Sequence, residues 1–274
     1  MYKSGLKEEF SPFDIYRNLK FKYDFKKEHP YYFDPFGTCI FCGPQGSGKT
    51  LSAVNYVYNL KIKYPFSIIC SNISLKDHPF NAHVEVKNDI AFIVDDITGA
   101  IITTQDILEG RFTDVCIEYM GLEYLKYLEN GEYGVIFIID EIHLELNSLE
   151  SQNIDIEVMI ELSQQRKQRK HIIGTSQVFM RMAKPVREQV FDIILCREFF
   201  SLVQFNKLID GTTATEENGK MVANIRKRVF YTLNPKFYDR YDTYAKMKRY
   251  KQEWKGRVKT PVNIFEPDIK SIFA

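Results

Sequence analysis

The 274-residue chain carries 37 Lys and Arg against 36 Asp and Glu, so its overall charge points to no polyanionic partner and leaves only a local basic patch to do so. With 45% hydrophobic and 14% aromatic residues it has the means to bury a core, which excludes a disordered chain. No apolar run approaches the ~20 residues that span a bilayer, and MYKSGLKEEF at the N-terminus lacks the apolar stretch of a signal peptide, so a cytoplasmic protein is expected.

Residues 1–36, rich in charge and aromatics, read as an N-terminal arm. Two accounts stay open for it: packing on the following domain, or contact with a neighbouring subunit or an adenine ring. Thr38 to Cys42 is a short apolar run that reads as a buried strand. It meets Gly43-Pro44-Gln45-Gly46-Ser47-Gly48-Lys49-Thr50, which fits the phosphate-binding pattern G-x-x-x-x-G-K-[ST], and Leu51, Val54 and Tyr58 follow at helical spacing. Strand, glycine loop and helix are the context that this motif needs. The glycines let backbone N–H groups turn inward, and the helix N-terminus favours an anion. Residues Gly43 to Leu51 are therefore expected to bind a nucleotide, with Lys49 on the β- and γ-phosphates and Thr50 offering its hydroxyl to Mg²⁺.

Further along, Ser67 to Ser71 reads as a second strand, and Ala91 to Asp96 is an apolar run ending in two carboxylates. A helix is expected through Cys116, Met120, Tyr124 and Leu128, ended by Asn130-Gly131 and Gly134. Val135 to Ile139, His171 to Thr175 and Val190 to Cys196 are continuous apolar runs separated by helical segments, which implies a parallel sheet covered on both faces. Ile154, Val158 and Leu162 share one helical face between the first two. FSLVQFNKLID and NIRKRVFYTL flank a polar loop, a hairpin signature that predicts an antiparallel addition to the sheet. The five cysteines show no zinc spacing and read as buried free thiols.

The chemistry is expected at Asp140-Glu141, delivered by a buried strand to the sheet edge where the glycine loop lies. Asp140 would hold Mg²⁺ and Glu141 would orient and deprotonate the attacking water. Asp95-Asp96 compete for the role, but no Glu stands beside the Asp, and a turn or helix cap is expected there. Gln177, at the tip of the strand from His171, is placed to contact the γ-phosphate or its water. The basic run Gln164 to Lys170 either stabilises a helix C-terminus or projects Arg166 or Arg169 into a neighbour's site as an arginine finger.

The order of GPQGSGKT, IIDEIH, the run SQQRKQRKHIIGTSQ and the later CREFF and YDRYDTY resembles the HerA/FtsK-type ATPases, and within them the zonular occludens toxin family of filamentous-phage assembly ATPases. The resemblance covers roughly residues 37–245. It implies a RecA-like P-loop NTPase: an α/β fold with a mostly parallel sheet, helices on both faces and an added antiparallel hairpin. It also implies a ring-forming homo-oligomer that uses ATP to move DNA in packaging, export or virion assembly, with a capsid or portal protein as a further partner. Assembly proteins of that family usually carry a membrane segment after the ATPase domain. This chain shows none, which favours a packaging-type motor.

Asp140-Glu141-Ile142-His143 also matches the DExH box of a helicase, a reading that needs a second RecA-like domain where fewer than 80 residues follow Cys196. A non-motor ATPase, a regulator or chaperone, is the other alternative. The expected division is an arm at 1–36, an ATPase domain at 37–235 and a basic, aromatic tail at 236–274. In that tail Lys248, Arg249 and Lys251, interleaved with Tyr244, Tyr250 and Trp254, suit nucleic acid as well as they suit a solvated helix.

Overall fold

A computed structural model describes residues 11–35, 37–87, 90–148, 154–217 and 220–241. Helix α1 (Pro12–Glu28) precedes β1 (Thr38–Cys42), α2 (Lys49–Lys63) and β2 (Ile68–Ser71). Then come β3 (Ala82–Lys87), β4 (Ile90–Asp95), α3 (Thr104–Leu108), β5 (Cys116–Glu118), α4 (Tyr124–Tyr127) and β6 (Val135–Ile139). The second half runs α5 (Ile156–Gln164), β7 (Lys170–Ser176), α6 (Lys184–Arg187), β8 (Val190–Phe199), β9 (Val203–Asp210), β10 (Thr215–Glu217), β11 (Lys220–Val222), β12 (Ile225–Thr232) and α7 (Pro235–Tyr238).

Among the described residues, ten strands form one sheet in the order β12-β9-β8-β1-β7-β6-β2-β5-β3-β4. The centre is parallel: β1 lies between β8 and β7, and β7 lies between β1 and β6. All five residues of β1 and of β6, and all seven of β7, are buried, as continuous apolar strands covered on both faces must be. Alternation splits β1 between two cores. Ile40 and Cys42 join α5 through Val158 and Leu162 on one face, while Cys39 and Phe41 join α2 through Val54 and Val57 on the other. Cys39 and Cys42 thus point to opposite faces, and all five cysteines are buried free thiols. The expected hairpin is present: β9 pairs antiparallel with both β8 and β12.

Three expectations change. The helix expected from Cys116 is a short strand, β5, hydrogen-bonded beside β2, and only Tyr124–Tyr127 is helical. Cys116 and Ile117 are wholly buried between sheet neighbours, and this tertiary placement overrides a helical spacing read across the following turn. Among the described residues of the N-terminal arm, α1 buries none. Its following segment does dock, with Phe33 2% exposed and Tyr31 edge-on to Phe66. Finally, Gln165 to Arg169 form a turn after α5 rather than the end of a helix.

At the other end, residues 233–241 pack on α2: Tyr58 donates to the Arg240 carbonyl, and the Arg240 guanidinium lies over the Tyr58 ring and bonds Asn55. From residue 242 on, the basic tail singled out above, with Lys248, Arg249, Lys251 and Trp254, lies outside the described residues. No described helix is long and apolar enough to cross a membrane.

Candidate functional site: a glycine loop beside an acidic strand

Parallel pairing brings the C-terminal ends of β1, β7 and β6 to one edge of the sheet, with Cys42 beside Ser176 and Ile139 beside Gly174. The loop from Gly43 to Gly48 therefore leaves β1 one strand away from Asp140. Gly46 and Gly48 both have φ +75°, a conformation that residues with a Cβ rarely adopt. Gly46 has open space around the position of a Cβ, whereas Gly48 is pressed against the Gln204 side chain. Gly48 also caps α2 without any side-chain bond, which leaves the first N–H groups of a 15-residue helix turned toward the loop. Lys49 is buried and its Nζ donates to the Pro44 carbonyl at 3.3 Å, so the ammonium lies curled inside the loop's own arc. Leu51 faces the core on the α2 side.

Asp140 joins the loop to the acidic strand. Its Oδ1 accepts from the Thr50 hydroxyl at 2.9 Å and from the Thr175 hydroxyl at 2.6 Å. Asn72, just past β2, holds the Asp140 backbone from both sides: Asn72 Oδ1 accepts from the Asp140 N–H at 2.7 Å and Nδ2 donates to its carbonyl at 3.1 Å. Glu141 then adopts the left-handed region, φ 52° and ψ 44°, with its N–H donating to Thr175 Oγ1. Such a backbone in a non-glycine residue costs about 1–3 kcal/mol and persists only where surrounding bonds hold it. Gln177 Nε2 donates to Glu141 Oε1 at 3.3 Å, and His143 Nδ1 lies 3.2 Å from Oε2. Burial holds the His143 imidazole below its usual range against the opposing pull of Glu141, and the positive charge of Arg181 pushes the same way as burial.

The donor set fits the expected groups. A hydroxyl and a carboxylate already in contact are hard oxygen ligands suited to Mg²⁺, and a buried lysine with nearby backbone N–H groups suits a chain of phosphates. Among the described residues no cluster of three or more His, Cys, Asp or Glu offers a second metal centre.

Gln177 directly follows β7 and lies beside Glu141. The two arginines lie apart from this chain's own glycine loop. Arg169 begins at the opposite end of β7, where its carbonyl accepts from the Val135 N–H. Its guanidinium lies 3.8 Å from the centre of the Tyr32 ring and donates to the Phe33 carbonyl, so it fastens the arm to its own domain. Arg166 is exposed on the same turn. Asp95 accepts from the N–H and hydroxyl of Thr98, as a turn-forming Asp does, on a strand six places along the sheet from β1, or ~29 Å at the usual strand spacing.

Sequence reasoning missed Asn72, Thr175 and a buried polar chain beneath the loop. In that chain Gln204 Nε2 donates to the Ser47 carbonyl at 3.0 Å and to Asn206 Oδ1 at 2.9 Å. Asn206 Nδ2 donates to Ser52 Oγ, which meets the Tyr231 hydroxyl at 2.8 Å. Strands β9 and β12 thereby brace the glycine loop and the first turn of α2. The available signal was Gln and Asn two apart in a strand, at positions that alternate inward.

No family model matches the chain, and no curated protein matches it. Among solved structures it is similar to the N-terminal domain of zonular occludens toxin from Neisseria meningitidis, at 20% identity and TM-score 0.45, over 75% of this chain and 98% of that one. It is also similar to the genome packaging NTPase B204 from Sulfolobus turreted icosahedral virus 2, in complex with AMPPCP, at 14% identity and TM-score 0.44, over 70% and 97%. The DNA-packaging ATPase from Sulfolobus turreted icosahedral virus is similar at 16% identity and TM-score 0.44, over 71% and 98%. By its own sheet order, glycine loop and neighbouring acidic strand, the chain has the α/β fold of a P-loop NTPase.

Proposed function

We propose that the chain is a magnesium-dependent ATPase whose turnover moves DNA, working as a homo-oligomer. The observation that carries the ATPase reading is the bond from Thr50 to Asp140, which joins loop and acidic strand at one sheet edge. In this reading Lys49 and the loop N–H groups hold the phosphates, and Thr50 and Asp140 hold Mg²⁺, which supplies charge neutralisation. Glu141 takes the proton of the attacking water, and Gln177 holds the Glu141 carboxylate in place. Motion of DNA is supported by the order of motifs quoted above and their resemblance to the HerA/FtsK-type ATPases.

The test is ATP turnover with and without Mg²⁺ and with single- or double-stranded DNA, alongside the mass of the assembly. Turnover that needs Mg²⁺ and rises with DNA is expected. Lys49→Ala should weaken ATP binding by about tenfold or more, because a charge-assisted contact to phosphate is lost. A wild-type chain that binds ATP but never hydrolyses it would sink the ATPase reading. Hydrolysis indifferent to every DNA would favour a non-motor ATPase.

A further inference from the structure

Because side chains alternate, β9 has two working faces. Gln204 and Asn206 turn toward the glycine loop, and Val203, Phe205 and Lys207 turn away from it. In register with these outward residues lie Leu195, Arg197 and Phe199 on β8 and Arg228, Phe230 and Thr232 on β12. The rings form a ladder across three strands: Phe199 and Phe205 are 6.4 Å apart, and Phe205 and Phe230 are 4.8 Å apart. Arg197 sits over Phe199 at 4.9 Å and Lys207 over Phe205 at 5.6 Å.

The ladder is open to solvent, with Phe230 68% exposed and Phe200, at the tip of the β8–β9 turn, 93% exposed. Phe200 and Ser201 both take positive φ (53° and 54°), in a turn that normally selects Asn or Gly. Arg197, Lys207 and Arg228 form no ion pair among the described residues. No carboxylate occupies the outward positions of these rows, for Glu198 alternates to the other face.

We infer that this face binds single-stranded nucleic acid, with the phenylalanine ladder stacking on bases and the three cations meeting phosphates. A symmetric contact of this face with the same face of a second copy would set like charges against each other, whereas a polyanion with flat, apolar bases matches both features. The site also lies against the nucleotide pocket: Leu195 is in register with Cys42, and the Cys196 carbonyl crowds Gly43. Strand β9 thus has the proposed nucleic-acid surface on one side and the brace of the glycine loop on the other. The inference takes its biological sense from the DNA-moving reading above, but its test is separate from it.

Binding of the full chain to a fluorescent oligo(dT) is measured by anisotropy without nucleotide, across 50–200 mM salt, with ATP affinity as the check on folding. Phe230→Ala, at an exposed position, should weaken binding about tenfold at every salt concentration, and Phe205→Ala with Phe230→Ala should weaken it further. Arg197→Ala, Lys207→Ala and Arg228→Ala together should reduce the log–log salt slope by about 2, at ~0.7 per cation on a single strand. Unchanged affinity in Phe230→Ala and an unchanged slope in the triple variant would overturn the proposal. So would a fall in assembly mass in both variants with oligonucleotide binding intact, which would mark a contact between copies. Oligonucleotide binding by a wild-type chain that fails to hydrolyse ATP would leave this proposal standing and remove the reading above it.

Discussion

Glu141→Gln is expected to bind ATP with near wild-type affinity and to turn it over ~10²- to 10⁴-fold more slowly, the span that a lost general base commands. The separation follows from where Glu141 sits. Its carboxylate touches Gln177 and His143 but neither Lys49 nor Thr50, so the groups that would hold phosphates and Mg²⁺ are undisturbed. The amide retains the shape and an acceptor for Gln177, so the left-handed turn at Glu141 and its bond to Thr175 are kept. The control is Asp95→Asn, whose carboxylate serves only its local turn at Thr98 far along the sheet. It should hydrolyse ATP nearly normally and lose at most a little stability. Single-turnover hydrolysis and equilibrium binding of a fluorescent ATP analogue measure the two quantities separately. An active Glu141→Gln beside a dead Asp95→Asn would move the chemistry to the other acidic pair.

Why this site was legible in the sequence, and its supports were not, is a matter of range. The glycine loop and the apolar run ending at Asp140 are local patterns. A buried parallel strand needs a continuous apolar stretch, and the loop needs glycines at fixed spacing, so both show in a short window. Asn72 and Thr175 act on Asp140 and Glu141 only after β2 and β7 have flanked β6, and nothing within a few residues of either hints at that. The same holds for Gln204, which reaches Ser47 across 157 residues. Strand β5 was misread because four residues in a helix-like spacing, Cys116, Met120, Tyr124 and Leu128, carry less information than the burial of Cys116 and Ile117 beside β2. The turn at Arg169 was misread as a helix end because a run of cations suits both.

The largest effect on stability is expected from Gly48→Ala. The backbone there has φ +75°, which costs an L-residue roughly 1–2 kcal/mol. A methyl group would also overlap Gln204 Oε1 and its amide carbon, at 2.9 Å for the carbon, so the side chain must leave. Gln204 is wholly buried, and moving it breaks its bonds to the Ser47 carbonyl and Asn206, with groups left unpaired at about 1–3 kcal/mol. The sum, about 2–5 kcal/mol, should appear as a lower denaturant midpoint with little change in slope. ATP affinity should fall as well, since the loop that cradles the phosphates is displaced. Gln204→Ala alone should destabilise by about 1–3 kcal/mol through the same lost bonds. In Gly48→Ala with Gln204→Ala the clash is gone but the left-handed backbone remains, so the double variant should be less destabilised than the two single costs added together. Strict additivity would mean that Gln204 and the glycine loop are not in contact, and that the brace beneath the loop is not what fixes its shape.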